Sequence, residues 1–216
     1  MNRFSLELQQ ALPLIELAAT AAFALSGLVE AARKRLDIVG VMVVCFLASF
    51  GGGTLRDLLL DQRPFFWVKH PEFVWGILLM SLSAMLWLRL RHIQPTERAI
   101  QIPDALGLGL YAGMGTAQAL NFQMPALIAV MMGVITGVFG GVLRDIVCNE
   151  IPNAFRDHRP YAVLAFAGGW IYIGLTQQLG LSDSWATGLT VAWVAGVRGL
   201  AVIHDWQLPR WRMHED

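Results

Sequence analysis

The 216-residue chain carries sixteen basic and sixteen acidic side chains, so its formal charge is zero and it lacks the extended basic face that attracts nucleic-acid phosphates. Apolar residues make up 56% and charged residues only 15%, against roughly 25% charged in soluble domains, which excludes an ordinary soluble protein. Cys45 and Cys148 lie in apolar surroundings without CxxC spacing, which excludes a disulfide framework and a cysteine metal centre and makes both small core hydrophobes.

Charge-free runs at 17–29, 38–55, 73–88, 105–143 and 160–182 meet the need for ~20 mostly apolar residues per membrane crossing. The run 105–143 is too long for one crossing, and Asn121, Gln123 and Pro125 mark a turn inside it. In chain order the predicted spans are 12–32, 38–61, 72–90, 104–121, 125–148, 160–180 and 184–204, giving an all-α membrane protein of seven transmembrane helices. The first span competes with a signal peptide, but Glu7, Pro13 and Glu16 break the apolar core such a peptide requires. Arg33, Lys34, Arg35, Arg89, Arg91, Arg98, Arg156, Arg159, Arg210 and Arg212 fall on one face, against Arg3, Arg63 and Lys69 on the other. Ten against three places the C-terminus in the cytoplasm and the N-terminus outside, as a multi-pass protein of the cell (inner) membrane. Trp67, Trp75, Trp87, Trp206 and Trp211 lie near span ends, where amphipathic rings anchor.

The chain repeats itself at an offset of 88 residues without a gap: Gly52-Gly53-Thr54-Leu55-Arg56-Asp57 aligns with Gly140-Gly141-Val142-Leu143-Arg144-Asp145. At the same offset Ala24 matches Ala112, Gly27 Gly115, Ala31 Ala119, Pro64 Pro152 and His70 His158, with Glu16 facing Asp104. Each repeat, 12–90 and 104–180, holds three crossings, and the polar connector 89–103 separates them within a single transmembrane domain spanning 1–216. An odd number of crossings means the second copy enters from the opposite face, so the repeats are inverted, an architecture typical of transport proteins. The seventh helix, 184–204, stands outside the duplication.

The glycine runs Gly51-Gly52-Gly53 and Gly140-Gly141 sit inside the second and fifth spans, where three glycines weaken a helix by ~3 kcal/mol relative to alanine. Broken backbone survives in a bilayer only where protein or water satisfies it, which predicts helices broken at these glycines beside a polar cavity. Free carbonyls at one half-helix suit a cation and free amides at the other an anion, so potassium and a zwitterion both fit. The competing reading is close helix packing, preferred for Gly107, Gly109, Gly113, Gly115, Gly133 and Gly137, which have no charge beside them.

Arg56, Asp57, Arg144 and Asp145 lie at span edges, where ionised side chains need partners. Adjacent helix residues diverge, so the expected pairs are crossed, Arg56 with Asp145 and Arg144 with Asp57. They either pin the repeats together or line the ion path. Glu16 and Asp104 read as carboxylates at helix starts. His70 and His158 read as solvated loop residues, and Arg198 has no local sequence partner and either snorkels or faces a subunit interface. No GxSxG, HExxH or Walker pattern occurs, so there is no catalytic residue, no cofactor site and no metal site beyond a transient permeant cation.

The duplicated motif, with Pro64-Phe65-Phe66-Trp67 after the first copy and Pro152 after the second, resembles the bacterial glycine-transporter-domain proteins, a family homologous to the trimeric intracellular cation (TRIC) channels. The resemblance implies two inverted three-helix repeats plus a seventh helix, a homotrimer with a pore in each protomer, and second and fifth helices kinked at glycines beside the pore. It casts Gly51, Gly52, Gly53, Gly140 and Gly141 as pore-kink residues, with Arg56, Asp57, Arg144 and Asp145 next to them. Phe139 replaces the first glycine of the second motif, which implies a smaller or plugged break there, and no basic residue occurs from 104 to 121, where animal channels carry a voltage-sensing one. Three functions are therefore expected in order: a channel for potassium, sodium and similar monovalent cations; a transporter of glycine or another small neutral amino acid; a membrane scaffold packed through glycines.

Overall fold

The computed structural model describes residues 3–91, 96–156 and 159–208, all helix and connecting turns. The helices are α1 Arg3–Arg33, α2 Ile38–Leu59, α3 Phe66–Lys69, α4 Pro71–Arg91, α5 Glu97–Asn121, α6 Ala126–Val147, α7 Asn153–Arg156, α8 Ala162–Ile173 and α9 Asp183–Ile203. A π-helical turn, Gly174–Gln178, continues α8. A helix lies over each of the seven predicted spans, with α1 and α5 starting at Arg3 and Glu97 rather than at 12 and 104, and α3 and α7 are short helices in the connectors that follow α2 and α6. Among the described residues, four segments are long and apolar enough to cross a membrane by length and composition: Pro13–Arg33, Ile38–Leu59, Ala126–Val147 and Asp183–Ile203. The chain is an all-helical, multi-pass membrane protein.

Helix α5 lies at the centre, packed against α1, α6, α8 and α9, while α2 packs on α1, α4 and α6. Asp37 starts α2 by accepting the Gly40 N–H at 2.8 Å, satisfying one of the amides a helix start leaves open. Where α2 meets α6, the contact is backbone to backbone. A Cβ on Gly52 would overlap the Thr136 carbonyl, and one on Gly140 would overlap the Ala48 carbonyl. Positions 52 and 140, like 48 and 136, are equivalents at the 88-residue offset, so the contact is reciprocal. Register rises along α2 as it falls along α6, so the helices run antiparallel through this point. Phe23 and Tyr111, also equivalents, stack on one another with centroids 5.6 Å apart and an interplanar angle of 17°.

Helices α2 and α6 are continuous through Gly51–Gly53 and Gly140–Gly141. The predicted breaks are therefore corrected to a close crossing. A glycine's ~1 kcal/mol propensity loss is outweighed here by the close backbone approach that small residues permit. Phe139 is 38% exposed. The packing reading of the other glycines is borne out: Gly133 meets the Ala112 carbonyl, Gly115 lies against Gly133, and Gly107 lies against the Phe23 ring.

Trp75, Trp87 and Trp206 are 65%, 54% and 50% exposed, as aromatic anchors at span ends should be. Trp211 and His158 lie outside the described residues. On the surface, Lys34 pairs with Glu150 and ties the end of α1 to the turn after α6; this hydrogen bond holds the Lys34 ammonium above its ordinary range.

Candidate functional site

Two ion networks are buried in the helix bundle, one in each repeat. In the first, Arg56 in the last turn of α2 is 1% exposed. Its Nε and Nη2 donate to Asp57 Oδ1 at 2.9 and 2.8 Å, and Nη2 also donates to Glu16 Oε1 at 3.0 Å. The second Asp57 oxygen accepts the Phe66 N–H at 3.1 Å and so caps α3. In the other network Arg144 Nε donates to Asp145 Oδ1 at 2.8 Å and Nη1 to Asp104 Oδ1 at 2.6 Å, with Ser26 Oγ accepting from the same Nη1. The second Asp145 oxygen accepts the Asn153 N–H at 2.8 Å, at the start of α7.

The sequence therefore names the charged residues correctly and mispairs them. Each arginine bonds its own chain neighbour and a carboxylate of the first helix of its own repeat, and the crossed pairs Arg56–Asp145 and Arg144–Asp57 do not form. The antiparallel crossing is the reason. Position 52 meets 136 and 48 meets 140, so Arg56 lies level with position 132, thirteen residues from Asp145. At 1.5 Å per residue that is about 20 Å. The neighbour contact, in turn, is open to arginine because its long stem lets the planar fork curl back onto an adjacent carboxylate. Glu16 and Asp104 are corrected likewise. Helices α1 and α5 begin at Arg3 and Glu97, so both carboxylates stand well inside a helix, 3% and 5% exposed, and serve as arginine partners rather than helix-start charges.

A hydroxyl group crosses from each repeat into the other's network. Tyr111 of α5 donates toward Glu16 Oε2 at 3.4 Å and the Ser49 carbonyl at 3.1 Å, and its Oη lies 3.1 Å from Thr20 Oγ1. Ser26 of α1 donates to Asp104 Oδ1 at 3.3 Å. Sequence reasoning missed both, because a tyrosine or serine inside an apolar span carries no charge to be balanced. The available signal was that Tyr111 faces Phe23, and Ser26 faces Met114, at the repeat offset.

Gly51 approaches the Leu143 side chain, and Gly52 and Gly140 form the α2–α6 crossing between the two networks. Gly53 has only Arg56 Nη2 within reach, 3.8 Å from where a Cβ would sit, and Gly141 faces the Tyr161 hydroxyl at 3.2 Å and Asp104 at 3.5 Å. His70 bonds Glu72 at 2.9 Å on the surface. Arg198, 3% exposed, donates to the Pro160 carbonyl at 3.1 Å and lies over the Tyr161 ring at 5.1 Å, local partners that the sequence did not disclose. Among the described residues no group of three or more His, Cys, Asp or Glu could hold a metal ion.

The profile of the glycine transporter family matches this chain twice, over residues 13–89 and 101–177, the second match displaced from the first by the 88 residues of the repeat. The chain belongs to this TRIC-like family. It is 39% identical to a UPF0126 membrane protein of Vibrio cholerae over 80% of this chain and 71% of that one. It is 38% identical to the UPF0126 inner membrane protein YadS of Escherichia coli over 73% and 75%. Among solved structures, it matches a TRIC trimeric intracellular cation channel orthologue from Rhodobacter sphaeroides at a TM-score of 0.81 with 32% identity, over 89% of this chain and 97% of that one. A prokaryotic TRIC channel crystallised in 0.5 M KCl matches at 0.79 with 28% identity, over 93% and 100%.

Proposed function

We propose that the protein is a homotrimeric cation channel of the TRIC type, conducting potassium and other monovalent cations through a pore within each protomer. The observation that carries this reading is the near-complete structural correspondence with TRIC cation channels. The charge balance agrees with it: in each network one buried arginine is shared by two buried carboxylates, leaving one formal negative charge in excess within the network. Such a surplus favours cations and repels anions.

In this reading the single transmembrane domain holds two inverted repeats, about 12–90 and 104–180, and a seventh helix at 184–204. The reciprocal, antiparallel contact of Gly52 and Gly140 and the stacking of Phe23 on Tyr111 support an in-plane pseudo-two-fold axis. The N-terminus lies outside and the C-terminus in the cytoplasm, with the protein in the inner membrane. The path runs past Gly51, Gly52, Gly53, Gly140 and Gly141, with Arg56, Asp57, Arg144 and Asp145 at its sides. A transporter of glycine or another small neutral amino acid is the second reading, favoured by the description of the matching family.

Purified protein in planar bilayers is expected to give discrete single-channel currents in potassium chloride with cation-selective reversal potentials. Glycine counterflow without such currents would replace the channel with the transporter, and neither activity would leave a scaffold.

A further inference from the structure

Each buried arginine reaches a surface connector through one carboxylate. Asp57 holds Arg56 on Oδ1 and the Phe66 N–H on Oδ2, and Asp145 holds Arg144 on Oδ1 and the Asn153 N–H on Oδ2. The short helices α3 and α7 therefore each share an aspartate with a network, and moving either helix moves an arginine's partner.

The two connectors are fastened by different chemistry. Trp67 of α3 donates its indole N–H to Thr54 Oγ1 at 3.1 Å, while Thr54 spends its own proton on the Phe50 carbonyl at 2.7 Å. The same indole lies edge-on to Phe46 at 5.5 Å, and Phe66 lies against Phe73 at 5.1 Å. In the second repeat Phe155, Val142, Val134 and Ala154 stand at the positions of Trp67, Thr54, Phe46 and Phe66. Phe155 has no hydrogen-bonding side-chain atom and is 71% exposed. Ala154 makes a small apolar contact in the cluster around Tyr161, and the clasps from α7 to distant helices are ionic. Lys34, just past the end of α1, pairs with Glu150 before α7. Arg159, after α7, donates from Nε and Nη2 to Asp205, just past the end of α9, at 2.9 and 2.7 Å. Phe122, Gln62 and Pro71 occupy the positions equivalent to Lys34, Glu150 and Arg159, so the α3 connector cannot carry these clasps. Its pair of His70 with Glu72 joins near neighbours in the chain.

This difference sets what loosens each connector. All four clasp side chains are partly exposed, and ion pairs open to water weaken as salt rises. Aromatic packing and an indole–hydroxyl bond carry no charge to screen. We propose that the α7 connector is an ionic-strength-sensitive latch: Lys34–Glu150 and Arg159–Asp205 hold it to α1 and α9, and screening frees it to act through Asp145 on the Arg144 network, while α3 stays fixed. The latch is a property of the fold; only its effect on permeation rests on the conduction reading.

The test is hydrogen–deuterium exchange of the purified full-length protein in detergent, read by mass spectrometry at about 0.05 and 0.5 M potassium chloride, between which the Debye length falls from above ~10 Å to about 4 Å. Choline chloride at the same concentrations separates ionic strength from potassium itself. Exchange over 150–156, which holds the bonded Asn153 and Phe155 amides, is expected to rise about threefold with either salt, while 62–69 holds steady. The last turn of α6, 144–148, is expected to rise with 150–156, and a last turn that stays protected overturns the transmission through Asp145. Lys34→Gln with Arg159→Gln is expected to exchange fast over 150–156 at both concentrations. The charge swap Lys34→Glu with Glu150→Lys is expected to recover the salt response that Lys34→Glu alone diminishes. Salt-independent exchange over 150–156, an equal response over 62–69, or a response to potassium but not to choline overturns the latch. Bilayer currents from protein without salt-dependent exchange would reject the latch and keep the channel, whereas salt-dependent exchange without currents would keep the latch and reject the channel.

Discussion

Arg56→Met should lower the stability of the folded protein by about 3–5 kcal/mol, the cost of leaving a buried ion partner unpaired. The guanidinium is 1% exposed and is the cation bridging two carboxylates that are 3% and 2% exposed. Removing it strands two negative charges among helices that offer few other donors. Adding Glu16→Gln to Arg56→Met removes one stranded charge and should recover a substantial part of the loss. A double-mutant cycle between these positions should then give a coupling energy within the roughly 0.5–3 kcal/mol seen for residues of one network. Asp145→Leu is the control, since Asp145 belongs to the Arg144 network at the other end of the crossing. Its cycle with Arg56→Met should be additive, and coupling there equal to that of the Glu16 cycle would reinstate the crossed pairs.

What could be read from the sequence follows from what each signal depends on. Helix positions depend on hydropathy and charge over about twenty residues, and a helix lies over each of the seven predicted spans, although α1 and α5 start at Arg3 and Glu97 rather than at 12 and 104. The repeat depends on register alone, and the family match reproduces its offset. Partner choice depends on depth along helices, and here the sequence reading failed. The antiparallel α2–α6 contact carries Arg56 and Arg144 to its opposite ends, and that forbids the crossed pairs. Glu16 and Asp104 were misassigned because helix starts were placed at 12 and 104, close to where the charge-free runs begin. The polar first turns of α1 and α5, Arg3 onward and Glu97 onward, extend past those runs, so both carboxylates stand inside a helix, and packing of α1 on α2 and of α5 on α6 brings them to the arginines. The Tyr111 cluster was invisible because it depends on a backbone carbonyl and two hydroxyls, which carry no distinctive spacing.

The adjacent glycines Gly52 and Gly53 should respond to alanine with opposite signs. A methyl group on Gly52 overlaps the Thr136 carbonyl, a rigid backbone group, so α2 and α6 must separate along their length. Such overpacking costs typically about 1–3 kcal/mol, and Gly140→Ala, which meets the Ala48 carbonyl, should cost a similar amount. A methyl group on Gly53 has only Arg56 Nη2 nearby, at 3.8 Å, an ordinary contact with the end of a flexible side chain. There the helix-propensity gain of about 0.5–1 kcal/mol for glycine to alanine is free to appear. Unfolding midpoints of the purified variants should therefore fall for Gly52→Ala and Gly140→Ala and hold or rise for Gly53→Ala. A helix broken at the glycine run predicts otherwise, because every glycine of the break would then be needed and Gly53→Ala would be as damaging as its neighbour. Equal losses at 52 and 53 would restore the broken helix, whereas a sign change between adjacent residues is what a continuous helix with one glycine facing another backbone requires.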